Sequence, residues 1–305
     1  MYNFPMFYNY FKNFPAYAKI IEVAPRDGLQ NEKTILSIGN KLRLIKKIES
    51  CGLTDIEVGS IVNPKLVPQM KGSGDLVRFL NNKNINYSVL IPNMKSYTDT
   101  IYQKNIYDKK VQVNEIVLFT AASETFNQKN INCSIDDSFK RFKPIVEKAI
   151  RDKLNIRGSI SCSLGCPYEG LIKTNKVVDI INRYFDMGVS TIDIADTIGV
   201  GTQKQMSDIL NYALKTVPAR NLTGHFHDTN DTALDLVDIC LDYGVNTFHS
   251  SIGGIGGCPF SPKRAGNLAT EKLILHLHSL GIHTGVNLNR LKETSKWCEQ
   301  LIKTN

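Results

Sequence analysis

The sequence predicts a closed (β/α)8 barrel of the TIM type, and three observations lead there. Short β-rich runs alternate with longer amphipathic ones along nearly the whole chain, the pattern of a parallel sheet with crossover helices. The alternation repeats eight times, and eight units in roughly 250 residues suit a closed barrel better than an open doubly wound sheet. The first strand candidate is followed by DGLQNE, not by the glycine-rich turn through which an open sheet usually holds a nucleotide. With 305 residues, 42% of them hydrophobic, the chain can bury one large core.

The elements follow in order. Residues 1–18 read as an N-terminal arm, and 19–305 as one catalytic domain without linker or internal repeat. Strand one is IIEVAPR at 20–26. The next run, GNKLRLIKKIESCGL, is helical, with Leu42, Ile45 and Ile48 on one stripe and Gly52 as its stop. Strands follow at 55–60 (DIEVGS), 87–92 (YSVLIP), 115–122 (EIVLFTAA) and 158–164 (GSISCSL). TNKVVDIINRYFDMGVS repeats the helical design, with Val177, Ile180, Ile181 and Tyr184 inward and Gly188 ending it. Strands six and seven are TIDIADT at 191–197 and LTGHFHD at 222–228. DTALDLVDICLDYGVN is helical and ends at Gly244, before strand eight at 247–252 (TFHSSI). Residues 283–303 add a short helical extension.

Composition narrows the function. No apolar run reaches the roughly 18 residues of a membrane-spanning helix, so no membrane partner is expected. The formal net charge of +8 suits a polyphosphorylated or carboxylate substrate, and its Lys and Arg are dispersed, unlike a nucleic-acid footprint. Seven cysteines at irregular spacing read as a reduced, intracellular protein. The first nineteen residues are aromatic, fit no secretory signal and make a poor mitochondrial presequence, and the final LIKTN is no peroxisomal address. Cytoplasm is the expected location, with the mitochondrial matrix second.

Barrel active sites lie at the C-terminal ends of the strands. There the sequence places Arg26 and Asp27 after strand one, Glu57 in strand two, Arg157 entering strand five and Asp196 ending strand six. His225 and His227 end strand seven, and Cys258 and Asn267 follow strand eight around the glycine-rich GGIGGCPFSP. Two residues apart in a strand, His225 and His227 share a face. If that face is the lumen, both imidazoles and the carboxylate from strand one make a mixed N and O set for Mn²⁺, Mg²⁺, Co²⁺ or Zn²⁺. The competing reading makes one a core histidine and turns the other to a helix; the polar groups at the other strand ends favour the metal. His276 and His278 read as surface or interhelix residues and His283 as structural.

Several motifs together carry a resemblance: VAPRDGLQNEK (23–33), AASETFNQKNINCSI (121–135), SCSLGCPYEG (161–170), DTIGVGT (196–202), GHFHDT (224–229), GGIGGCPF (253–260) and GNLATE (266–271). They resemble the 3-hydroxy-3-methylglutaryl-CoA lyases, metal-dependent TIM-barrel enzymes, from about residue 19 to about 290. The resemblance implies a retro-Claisen cleavage of the acyl-CoA to acetyl-CoA and acetoacetate, with Mg²⁺ or Mn²⁺ as cofactor and a homodimer as the expected assembly. It implies Asp27, His225, His227 and Asn267 as metal ligands. Arg26 would stabilise the enolate oxygen, Cys258 would be the reactive cysteine of a mobile loop, and Glu57 and Asp196 would be acids of the active site. Arg26, Gln30, Arg157 and Lys263 are the expected substrate-binding residues. These residue types suit the chemistry. A cation makes a weakly acidic tertiary alcohol easier to ionise, and one fixed donor at a developing oxyanion is worth about 10²–10³ in rate.

The sequence departs from the family in three places. Asn230-Asp231 follow HDT, where an aromatic residue and glycine are usual. His249 stands where an aspartate or similar group is usual, and either alters the thiol, adds a weak ligand or changes substrate preference. Lys263 and Arg264 replace small residues, to meet coenzyme A phosphates or solvent.

Overall fold

The computed structural model describes residues 14–257 and 266–304. The elements run β1 (Lys19–Glu22), α1 (Ile38–Ser50), β2 (Asp55–Ser60), α2 (Ser73–Leu76), β3 (Asn86–Leu90), α3 (Met94–Ile101), β4 (Glu115–Ala121), α4 (Glu124–Ile131), α5 (Ile135–Arg151) and β5 (Asn155–Ser161). They continue α6 (Thr174–Asp186), β6 (Thr191–Asp196), α7 (Gln203–Ala213), β7 (Leu222–Phe226), α8 (Ala233–Asp242), β8 (Thr247–Ser250), α9 (Thr270–Ser279) and α10 (Leu288–Thr304). The strands pair in parallel in chain order, and β1 closes on β8 from Lys19↔Thr247 to Glu22↔Ser250. This is the expected eightfold barrel with a helix beyond the eighth unit. Of the predicted arm, residues 1–13 lie outside the described residues, and Tyr17 bridges to His283.

The helices form where the periodicity puts them. Helix α6 buries Val177, Ile180, Ile181 and Tyr184 as predicted. Helix α1 starts on Ser37, whose hydroxyl accepts from the Asn40 amide, and buries Leu44, Ile45 and Ile48, while Leu42 is only half-buried. Gly52, Gly188 and Gly244 follow their helices at φ +90°, +93° and +80°, the left-handed geometry that ends a helix on glycine. Among the described residues no helix is long and apolar enough to cross a membrane.

Several strand boundaries differ from expectation, and three of them move a functional side chain. The β1 ladder stops at Glu22, and Ala24–Gly28 forms one π-helical turn that carries Arg26 and Asp27. Glu22 drives that exit. Its Oε1 accepts from the amides of Ala24 (2.9 Å) and Ile252 (3.0 Å), and Pro25 has no amide to offer a ladder. Strand β5 starts at Asn155, so Arg157 lies inside the strand and not at its entrance. Strand β7 ends at Phe226, and His227 instead bridges Asn267.

The lumen is ionic at mid-height, where barrels of this type usually hold branched apolar side chains. Arg157 is fully buried there. It donates to Glu57 Oε2 at 2.8 Å, Ser88 Oγ at 3.0 Å and Glu115 Oε2 at 3.1 Å, and reaches Asp193 Oδ2 at 3.5 Å. Its Nη1 also lies 2.8 Å from His249 Nε2.

Candidate active site and metal centre

The site is assembled from the turn after β1, the ends of β2 and β7, and the segment after β8. The π-helical turn presents Arg26 and Asp27 side by side, with Arg26 Nη1 donating to Asp27 Oδ1 at 2.6 Å. Arg26 Nε donates to Glu57, which reaches up from β2. Glu57 thus bridges two guanidiniums, Arg26 at the mouth and Arg157 beneath it.

Across the barrel, His225 Nε2 lies 3.9 Å and His227 Nε2 3.8 Å from Asp27 Oδ2. The ligand atoms of these three residues all fall within 4.8 Å of one another. That is too wide for mutual hydrogen bonds and close to the roughly 3–4 Å separating donors that share one small divalent ion. Asn267 joins them, its Nδ2 donating to Asp27 Oδ2 at 2.8 Å and to the Ile255 carbonyl at 3.1 Å. With its nitrogen so engaged, Oδ1 is the atom Asn267 has for an ion.

The electrostatics suit a cation. Burial opposes ionisation of Asp27, but Arg26, His227 and His225 outweigh it and hold the carboxyl well below its usual range. Burial pushes His225 down to about 4, so its ring is neutral near pH 7, the form that ligates. Burial alone would lower Arg26, yet Glu57 and Asp27 raise it. Among the described residues, His227 Nδ1 is buried without a hydrogen-bond partner. An unpaired buried polar atom costs about 1–3 kcal/mol, so this ring is retained for something other than stability. The donor set, two imidazoles with a carboxylate and an amide oxygen, fits a divalent ion.

The glycine segment is built against this turn. Gly256 sits at φ +102°, and a Cβ there would come within 2.7 Å of Asn267 Nδ2 and 2.9 Å of Gly28 Cα. Gly257 accepts from Asn31 and lines a cavity of about 660 Å³. Arg26, Asp27, Gln30, His225 and His227 line its inner end; Leu66, Pro92, Phe119, Phe126 and Phe142 give it an apolar wall, and Asn130 and Arg141 lie along it too.

The structure therefore brings together Arg26, Asp27, Gln30, Glu57, His225, His227 and Asn267. Glu57 and Asn267 bond to Arg26 and Asp27 without lining the cavity themselves, and two further expected residues stand apart from it. Arg157 does not reach it: its early place in β5 buries it wholly among carboxylates, so the expectation of substrate contact is corrected to one of internal charge balance. Asp196 is also fully buried, and it accepts from the Val200 (3.1 Å) and Gly201 (2.8 Å) amides, holding the β6–α7 loop. Its neighbours Ala195 and Thr197 line the cavity instead, as strand alternation requires. Cys258 and Lys263 lie outside the described residues. Sequence reasoning missed Glu115 and Asp193, although a charge on one face of an apolar strand was the signal. It also missed Asn130, although this residue lies within AASETFNQKNINCSI, and Arg141, which no local pattern marks. His249 faces inward and touches His225 and Arg157. His276 pairs with Asp238 at 2.6 Å on the outer ring.

The HMGL-like family model matches residues 17–298, nearly all of the chain. The chain belongs to the HMGL-like family. Among its HMGL-like relatives, the mitochondrial hydroxymethylglutaryl-CoA lyase of Homo sapiens is 44% identical over 289 residues, covering 94% of this chain and 86% of that protein. The crystal structure of hydroxymethylglutaryl-CoA lyase from Pseudomonas aeruginosa superposes with TM-score 0.88 at 38% identity, covering 96% of this chain and 95% of that one. An HMG-CoA lyase from Acinetobacter baumannii, solved with coenzyme A and 3-methylmalate, superposes with TM-score 0.87 at 32% identity, covering 94% and 92%.

Proposed function

We infer that this chain is a carbon–carbon lyase that cleaves 3-hydroxy-3-methylglutaryl-CoA to acetyl-CoA and acetoacetate, using Mg²⁺ or Mn²⁺ held by Asp27, His225, His227 and Asn267. One observation carries the reading: Asp27, His225 and His227 converge to within 4.8 Å at the inner end of a 660 Å³ cavity that Arg26 also lines. When bound, the cation supplies Lewis acidity toward the tertiary hydroxyl of the substrate.

The side chains do the rest. In the cleavage the hydroxyl loses its proton, and an oxygen lone pair becomes the C=O bond of acetoacetate. The electrons of the broken C–C bond pass to the thioester as an enolate, whose carbon takes up a proton to give acetyl-CoA. Arg26 suits the enolate oxygen. A guanidinium has five N–H donors; Nε goes to Glu57 and Nη1 serves Asp27, which leaves the Nη2 pair for substrate. Glu57 locks the guanidinium in place, which is where preorganised charge acts most strongly. Cys258 is assigned as the proton donor to the enolate carbon. The support is its place in GGCPF directly after Gly257, which lines the cavity. The partly apolar cavity of about 660 Å³ suits the stem of an acyl-CoA.

The test is direct. Metal-stripped protein is incubated with the thioester, Mg²⁺ or Mn²⁺ and a thiol reductant, and acetoacetate is assayed. Product that appears with metal and vanishes with chelator is expected; no product under any of these conditions defeats the reading.

A further inference from the structure

Ligation constrains both nitrogens of an imidazole. The binding nitrogen must be bare, so a neutral ring carries its proton on the other one, which then needs an acceptor. His225 turns Nε2 toward Asp27 and sets Nδ1 3.0 Å from Nδ1 of His249. His249 is buried on β8, with Nε2 2.8 Å from Arg157 Nη1 and 3.4 Å from Asp193 Oδ1. Two arrangements of the ring protons are possible, and they differ at Arg157: a guanidinium only donates, so the first satisfies its 2.8 Å contact with His249 Nε2, while the second requires that contact to open in favour of Asp193. In one, Arg157 donates to His249 Nε2, His249 donates from Nδ1 to His225, and the His225 proton sits on Nε2, the ligand atom. In the other, His249 carries its proton on Nε2 toward Asp193, accepts at Nδ1 from His225, and leaves His225 Nε2 bare.

We propose that His249 is a positioning residue for the metal ligand His225, and that metal loading selects the second arrangement, in which His249 accepts the His225 Nδ1 proton and directs its own N–H to Asp193. The inference rests on the metal reading of the site. It makes an acceptor, not an imidazole, the requirement at position 249. A carboxylate attached through Cβ and Cγ sets an oxygen where histidine sets Nδ1, and it also pairs with Arg157.

The experiment is titration calorimetry of Mn²⁺ into the metal-stripped full chain, comparing wild type, His249→Leu and His249→Asp, with circular dichroism as the check on folding. Losing a partner of a ligating histidine typically weakens metal binding about 10–100-fold. That loss is expected for His249→Leu, while His249→Asp should stay within about threefold of wild type. Equal affinity in wild type and His249→Leu overturns the role of His249 alone and leaves the metal site standing. Equal loss in two folded variants does the same. A wild-type chain that binds no Mn²⁺ overturns the metal reading and this inference with it. The wild type gives an answer even if the variants do not fold. In ¹⁵N-histidine spectra of the Mg²⁺-loaded protein, His225 should be protonated at Nδ1 and His249 at Nε2. A loaded protein with His249 protonated at Nδ1 refutes the proposal.

Discussion

Replacing Arg157 by methionine should destabilise the barrel from within, although the residue never touches the cavity. The guanidinium is fully buried and compensates Glu57 at 2.8 Å, Glu115 at 3.1 Å and Asp193 at 3.5 Å. Removing one partner of a buried ion pair costs about 3–5 kcal/mol, because the other charge is left without compensation. A domain is stable by only about 5–15 kcal/mol, so the loss is a large share and lowers the midpoint on the order of 10 °C. The cost must also grow with pH. In the wild type, burial pushes Asp193 up to about 7 despite Arg157, and burial raises Glu115 too. Without Arg157 these carboxyls hold their protons to higher pH, so the folded variant binds more protons than the folded wild type above about pH 7. Its deficit then widens by up to about 1.4 kcal/mol per pH unit for each such group. Urea unfolding followed by circular dichroism at pH 6 and pH 8 measures both effects. A variant within about 1 kcal/mol of wild type at both pH values would show that Arg157 does not neutralise the cluster.

Three further predictions concern the site and its supports. Arg26→Gln should lower kcat by about 10²–10³ while Mn²⁺ affinity measured by calorimetry changes little, because Arg26 is not a ligand. Glu22→Gln should flatten the alkaline loss of stability: burial raises Glu22 to about 8 from 4.5, so its contribution is fully present below 4.5 and is lost as pH rises through about 8. Urea midpoints of the two proteins should therefore agree below about pH 4.5 and increasingly favour Glu22→Gln up to about pH 8. Gly256→Ala combines the φ of +102° with a 2.7 Å approach to Asn267 Nδ2, and should cost about 1–3 kcal/mol together with a weaker Mn²⁺ isotherm.

The residues themselves determined a good deal. Period-3.6 stripes closed by glycine located α1, α6 and α8, and the eightfold alternation pointed to a barrel. The two-residue spacing of His225 and His227 put both on one face. What the pattern did not carry was which face. Strands of a parallel barrel are buried on both sides and read as nearly continuous apolar runs. A charge within such a run therefore does not announce whether it points to the lumen or to the helices. Asp193 and Asp196 show this: the first meets Arg157 in the lumen, while the second turns outward to hold a loop. The start of β5, set by pairing with β4 from Glu115↔Asn155, decided that Arg157 is buried and not at the mouth.

Only closure of β1 on β8 brought Asp27 to Asn267, 240 residues away in the chain, and set it across from His225 and His227. Such a meeting depends on barrel register, a property of all the strands together that no local window contains. The sequence supplied the ligand types and the order of the elements. The tertiary structure decided which of those side chains share one small volume, because that choice is made by strand parity and ring closure.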